Sequence, residues 1–120
     1  MYKPLYDMLD DKTKSLLDST FQNLHDLKTQ STDFLFSIGG DGTFIDAANL
    51  VGDSQIPILG INTGRIGFLT NVNRKNFQQA FDFLQNDDFQ LENRMVLQIK
   101  TNDGSEIGIH FALNDISIHP

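Results

Sequence analysis

The segment of this chain best suited to chemistry is Gly39-Gly40-Asp41-Gly42-Thr43. Glycines let a backbone take restricted conformations and let a ligand approach closely, and amides left free at a helix start attract phosphate. A loop of this composition can cradle a polyphosphate. The alternative is a plain strand-to-helix turn in which Asp41 or Thr43 caps the helix. The segment is not the dinucleotide fingerprint G-x-G-x-x-G, because Thr43 and Phe44 follow the third glycine, and it lacks the lysine of a P-loop. Two other places qualify. Phe68 beside Leu69 reads as core, except that it ends a glycine-rich run, Gly60-Ile61-Asn62-Thr63-Gly64-Arg65-Ile66-Gly67. Asn114-Asp115 sets an amide, which can donate and accept, beside a carboxylate; a local turn is the competing reading. His25, His110 and His119 are scattered without partners at ligand spacing, so no metal or catalytic role falls to them.

The elements that must position these residues follow from periodicity. Leu17, Phe21, Leu24 and Leu27 recur at helical spacing between Lys12 and Lys28, predicting an amphipathic helix. After Asp33, the apolar run Phe34–Ile38 predicts a buried strand that ends at the glycines. Phe44, Ala47, Ala48 and Val51 predict a helix beginning immediately after the glycine loop and stopping at Gly52. Ile56–Ile61 is a second buried strand, and strand, helix, strand implies parallel pairing with a crossover. Residues 62–70 read as a loop. Phe77, Ala80, Phe81 and Leu84 then form one face of a helix from about Arg74 to Asn86.

From about Glu92 the pattern changes. Met95, Leu97 and Ile99 alternate, Asn102-Asp103-Gly104-Ser105 makes a turn, and Ile107, Ile109 and Phe111 alternate again, predicting an antiparallel hairpin. Ile116 and Ile118 add a short strand. The expected architecture is therefore an α/β unit over residues 1–91 followed by the opening strands of a β-rich unit over 92–120.

Composition narrows the function classes. Ten phenylalanines and a 39% hydrophobic fraction suffice for a core. A formal charge of -7 repels nucleic acid and anionic membrane surfaces, so bound phosphate must be held locally. The absence of cysteine removes disulfides, thiolate metal sites and thiol nucleophiles. No apolar stretch approaches the roughly 20 residues that span a bilayer, and the first residues do not form a signal peptide. A cytoplasmic setting is expected.

Gly39–Thr43 resembles the phosphate loop shared by NAD kinases and diacylglycerol or sphingosine lipid kinases, with a close variant in phosphofructokinases. Gly60–Thr70, ending in Gly67-Phe68-Leu69, resembles the second signature of NAD kinases, and Ala112-Leu113-Asn114-Asp115 is similar to their Ala-Leu-Asn-Glu. Three motifs in the family's order identify the chain as an NAD kinase segment. The resemblance implies a Rossmann-like domain and transfer of a phosphoryl group from ATP, with magnesium or another divalent cation, to the 2′-hydroxyl of NAD. Inorganic polyphosphate is an alternative donor. Gly39, Gly40, Gly42 and Thr43 would contact nucleotide, with Gly42 offering its backbone. Asp41 would lie near the acceptor ribose as general base, orienting group or both; Phe68 would line the adenine pocket, and Asn114 and Asp115 would hold adenine-side and ribose groups.

Departures from the family carry expectations too. Asp115 is one methylene shorter than the usual Glu, no strand precedes the first helix, and the chain stops at Pro120. It is expected to be the N-terminal part of a longer, homo-oligomeric enzyme and inactive alone. The competing functions are a lipid kinase with the same loop and a nucleotide-binding module without catalysis.

Overall fold

The computed structural model describes residues 7, 9–16, 32–65, 67–70, 72–105 and 112–113. It opens with a short helix, α1 (Asp11–Leu16). The rest of the amphipathic stretch, with Leu17, Phe21, Leu24 and Leu27, lies outside the described residues, as does any decision on a strand before it. The first described strand is β1 (Leu35–Gly39), followed by helix α2 (Asp41–Val51) and strand β2 (Ile58–Asn62). As the apolar runs predicted, β1 and β2 pair in parallel with α2 as the crossover, in a register running from Leu35 opposite Ile58 to Gly39 opposite Asn62.

A third strand escaped the sequence reading. Val72–Asn73 (β3) pairs in parallel with β2, Val72 lying opposite Ile61, so the sheet order is β1-β2-β3. Two residues are too few to display a period of two. Asn73 then turns the chain: its carboxamide oxygen accepts the amides of Lys75 and Asn76 at 3.0 and 3.1 Å. This cap leads through a 3₁₀ turn, Arg74–Asn76, into α3 (Phe77–Gln85).

Alternation along the strands sends side chains to two layers. Phe36, Ile38, Leu59, Ile61 and Val72 face α3 and pack around Phe77, Phe81 and Leu9. The Phe36 ring meets those of Phe77 and Phe81 at 5.9 and 5.8 Å, within the range of favourable aromatic pairs. On the other face Leu35 and Ile58 pack against Ala47, Leu50 and Val51 of α2. Gly60 permits that approach, since a Cβ there would lie 2.8 Å from the Phe44 ring and 3.0 Å from the Thr70 methyl.

The expected hairpin is present only as a beginning. Leu97 and Ala112 form an isolated antiparallel bridge, each amide donating to the other's carbonyl at 2.8 Å. The turn lies where Asn102–Ser105 predicted it, with Thr101 N–H on the Ser105 carbonyl at 3.0 Å. Met95 and Leu97, two of the alternating residues expected to lie on a hairpin strand, are exposed, as are Leu91 and Val96. Alternation does not by itself bury a strand, because burial needs a second surface. Ile107, Ile109, Phe111, Ile116 and Ile118 fall outside the described residues. Arg94 pairs with Glu92 at 3.2 Å on the surface, where an ion pair contributes little. Among the described residues, no helix is long and apolar enough to cross a membrane.

Candidate functional site

Because Gly39 lies opposite Asn62, the two glycine-rich segments leave the carboxyl ends of adjacent parallel strands side by side. A further bond ties their bases, Thr63 N–H donating to the Gly39 carbonyl at 3.3 Å. Ligands of open α/β sheets bind outside those strand ends.

The first segment differs in one respect from the sequence expectation. The helix does not follow the glycine loop but begins inside it: Gly40 is the N-cap, extended at φ -103° and ψ -166°, and Asp41-Gly42-Thr43 is the first helical turn. Phe44 N–H donates to the Gly40 carbonyl at 3.2 Å, so the amides of Asp41, Gly42 and Thr43 have no acceptor within the helix. A side-chain carbon added at Gly40 or Gly42 would meet nothing within 4 Å. The start of α2 is thus open and presents amides, the environment that favours an anion.

Asp41 does not cap the helix. Its carboxylate crosses to the second segment, Oδ2 accepting Phe68 N–H at 2.8 Å and Oδ1 accepting Leu69 N–H at 3.1 Å. Gly67 makes this clasp possible, because a Cβ there would fall 2.1 Å from Oδ1. Phe68 sits at the clasp with its backbone held and its ring outward. At 93% exposure it is not core, and the reading of it as ordinary interior packing is overturned.

Asn62, 4% exposed, organises the base of the second segment. Its Oδ1 accepts Gly64 N–H at 2.7 Å, while Nδ2 donates to the Arg65 carbonyl and, at 3.0 Å, to Thr70 Oγ1. Asn62, Gly67 and Thr70 received no role from the sequence. An Asn followed two residues later by Gly is a signal for a side chain bonding its own turn, and could have marked Asn62. Nothing in the linear pattern marks Thr70 as its second partner.

Asn114 and Asp115 lie outside the described residues. The residues before them are placed: Ala112 pairs with Leu97, and Leu113 lines a pocket of about 140 Å³ with Val96 and with Ile45, Ala48 and Asn49 of α2. None of the residues given a catalytic or binding role from the sequence lines that pocket.

Comparison with known proteins agrees with these motifs. Residues 5–89 match the family model of the ATP-NAD kinase N-terminal domain. The chain is 39% identical over 107 residues to an NAD kinase of Bacteroides fragilis, covering 89% of this chain and 37% of that protein. It is 40% identical over 93 residues to an NAD kinase of Porphyromonas gingivalis, covering 78% and 32% respectively. The structure is similar to that of a yeast NADH kinase complexed with NADH, with a TM-score of 0.61 and 27% identity over 78% of this chain and 28% of that one. The chain thus spans about a third of the length of the relatives it matches. With the family model covering most of its length and the two glycine segments clasped together at the strand ends, the chain belongs to the ATP-NAD kinase family.

Proposed function

We propose that this chain forms one wall of an NAD kinase active site, in which a phosphoryl group passes from ATP or inorganic polyphosphate to the 2′-hydroxyl of NAD to give NADP. The observation that carries the reading is the Asp41 clasp, which sets a carboxylate between an open helix start and an exposed aromatic ring. Polyphosphate, ribose hydroxyl and adenine call for those three groups in that order.

In this reading the amides of Gly42 and Thr43, with Gly39 and Gly40 leaving room, hold phosphate. Each Asp41 oxygen accepts one amide and keeps a second lone pair, so a ribose hydroxyl can be bound without opening the clasp. The 2′-oxygen attacks the terminal phosphorus, the bond from that phosphorus to the bridging oxygen breaks, and ADP leaves with the electron pair. Asp41 accepts the hydroxyl proton late in the transition state, orients the hydroxyl, or does both. Phe68 lines the adenine side, and Asn114 and Asp115 contact adenine-side and ribose groups.

Among the described residues no group of three or more His, Asp or Glu side chains could hold a metal ion. In this reading the divalent cation enters with the donor's phosphates, which is the common mode for magnesium in such sites. The same reading puts the boundary of the α/β unit near residue 91, takes the Leu97–Ala112 bridge as the start of a β-rich unit, and makes the full-length enzyme a cytoplasmic homo-oligomer. The family match leaves the lipid-kinase alternative without support. The test is NADP formation by the full-length enzyme, followed with an NADP-dependent dehydrogenase. Tight nucleotide binding without any NADP from either donor would favour the non-catalytic module instead.

A further inference from the structure

We propose that Asn62 is a positioning residue of this site, a buried brace that sets where Phe68 is presented to the acceptor nucleotide. The proposal rests on the NAD kinase reading for its substrate and on the geometry alone for its mechanics.

Asn62 ends β2 and is directed to the α2 side of the sheet, the face shared by Gly39 and Gly60. Both polar atoms of its side chain are engaged: Oδ1 accepts from Gly64 and the two N–H donors reach Arg65 and Thr70. A buried carboxamide has to be satisfied in this way. The consequence is mechanical, because Asn62 and Thr70, eight positions apart, hold the two ends of the loop on one side chain. Thr70 is itself 2% exposed, so this closure is shielded from water. At the far side the loop is held through Phe68 and Leu69 N–H on Asp41. These anchors hold the backbone from which the exposed Phe68 ring projects.

Asn62 is too buried to touch a ligand, so it acts through the loop rather than on the reacting atoms. An Asp in its place would set a carboxylate oxygen against the Arg65 carbonyl and bury a charge. An Ala would leave Gly64 N–H, the Arg65 carbonyl and the Thr70 hydroxyl without their partner.

The experiment uses the full-length enzyme and the variants Asn62→Ala, Thr70→Val, Thr70→Ser and the double Asn62→Ala/Thr70→Val. Amide hydrogen exchange at Phe68 and Leu69 is measured alongside separate KM values for NAD and ATP. Asn62→Ala and the shape-conserving Thr70→Val are expected to speed exchange at both amides. They should raise KM for NAD by about tenfold or more, the scale expected when a supporting group lets a binding group drift, and leave KM for ATP within about twofold. Thr70→Ser retains the hydroxyl and should stay near wild type. The double variant should cost little more than the worse single one, because both remove one brace. Unchanged exchange at Phe68 and Leu69 would overturn the proposal, as would equal KM increases for the two substrates or fully additive losses. If the wild-type enzyme makes no NADP, the functional reading fails, and the brace stands or falls on the exchange result.

Discussion

Replacing Asp41 by Asn should damage the site in two separable ways, and the structure sets the scale of each. Asp41 accepts two backbone amides, at 2.8 and 3.1 Å. An Asn keeps one acceptor oxygen and turns an NH₂ toward the other amide, so one bond is lost and a donor meets a donor. A hydrogen bond to a charged group contributes roughly 1.5–3 kcal/mol net. The site is only half-buried and the Phe68 bond is exposed, so solvent screening discounts that range to about 1–2 kcal/mol. In a protein of the family's length that is a fall in Tm of a few degrees. The loss of a carboxylate beside the ribose hydroxyl should independently reduce kcat at least about 100-fold, the lower limit for a general base. Steady-state kinetics and differential scanning calorimetry on the full-length enzyme read the two effects. Turnover near that of wild type would refute the catalytic role, and an unchanged Tm would refute the clasp as a contributor to stability.

The remaining expectations test neighbouring parts of the same structure. Gly67→Ala puts a methyl group 2.1 Å from Asp41 Oδ1, so it should open the clasp and lower Tm by a similar few degrees. Combined with Asp41→Asn it should add little, and additive Tm losses in the double variant would show that the two residues do not act together. In the 101–105 turn, hydrogen bonds from the Thr101 and Ser105 side chains and the Ser105 amide lower the Asp103 pKa from an ordinary 3.8 to about 2. A depressed carboxyl pKa means that this turn's contribution is fully present above pH 3.8 and is lost as pH falls through about 2. A carboxyl NMR titration should give that low midpoint, and Thr101→Val should move it back up; a wild-type midpoint near 3.8 would contradict the hydrogen-bonded turn. Finally, the 120-residue chain alone should form no measurable NADP from NAD and ATP with magnesium, because it matches only 37% of the length of its Bacteroides fragilis relative and Leu91, Met95 and Leu97 lie uncovered. A coupled dehydrogenase assay decides this, and robust turnover would mean that the acceptor site is complete within this segment.

What the sequence made readable, and what it did not, divides along physical lines. β1, α2, β2 and α3 were read with boundaries close to those observed, because each buries one or two apolar layers and a buried layer imprints its period on the chain. The start of α2 was set too late because glycines mask a helix: Asp41, Gly42 and Thr43 are helical through backbone geometry, with no apolar residue to announce it until Phe44. β3 was missed for the opposite reason, being a strand held by its register against Ile61 and Asn62 over too short a length to alternate. Of the strand expected from the Met95–Ile99 alternation, the described residues carry the Leu97–Ala112 bridge, and Met95 and Leu97 are exposed, since burial depends on a second surface that periodicity does not supply.

The candidate site shows a sharper division between residue types and residue contacts. Asp41 and Phe68 could be picked out because a carboxylate within glycines and an aromatic beside them are unusual neighbours. Their connection could not, since they lie 27 positions apart and meet through a backbone amide that every residue possesses. Gly67 illustrates the point further: Gly40, Gly42 and Gly64 face open space, whereas Gly67 is required by a carboxylate that the fold brings against it. The clasp therefore imposes an order on function. The Asp41 carboxylate holds the backbone that carries the exposed Phe68 ring, so a change that withdraws the proposed catalytic group should also disturb the proposed adenine contact. Chemistry and nucleotide recognition are coupled here through two hydrogen bonds, and the kinetic effects of substitutions at the two residues should not be separable into independent terms.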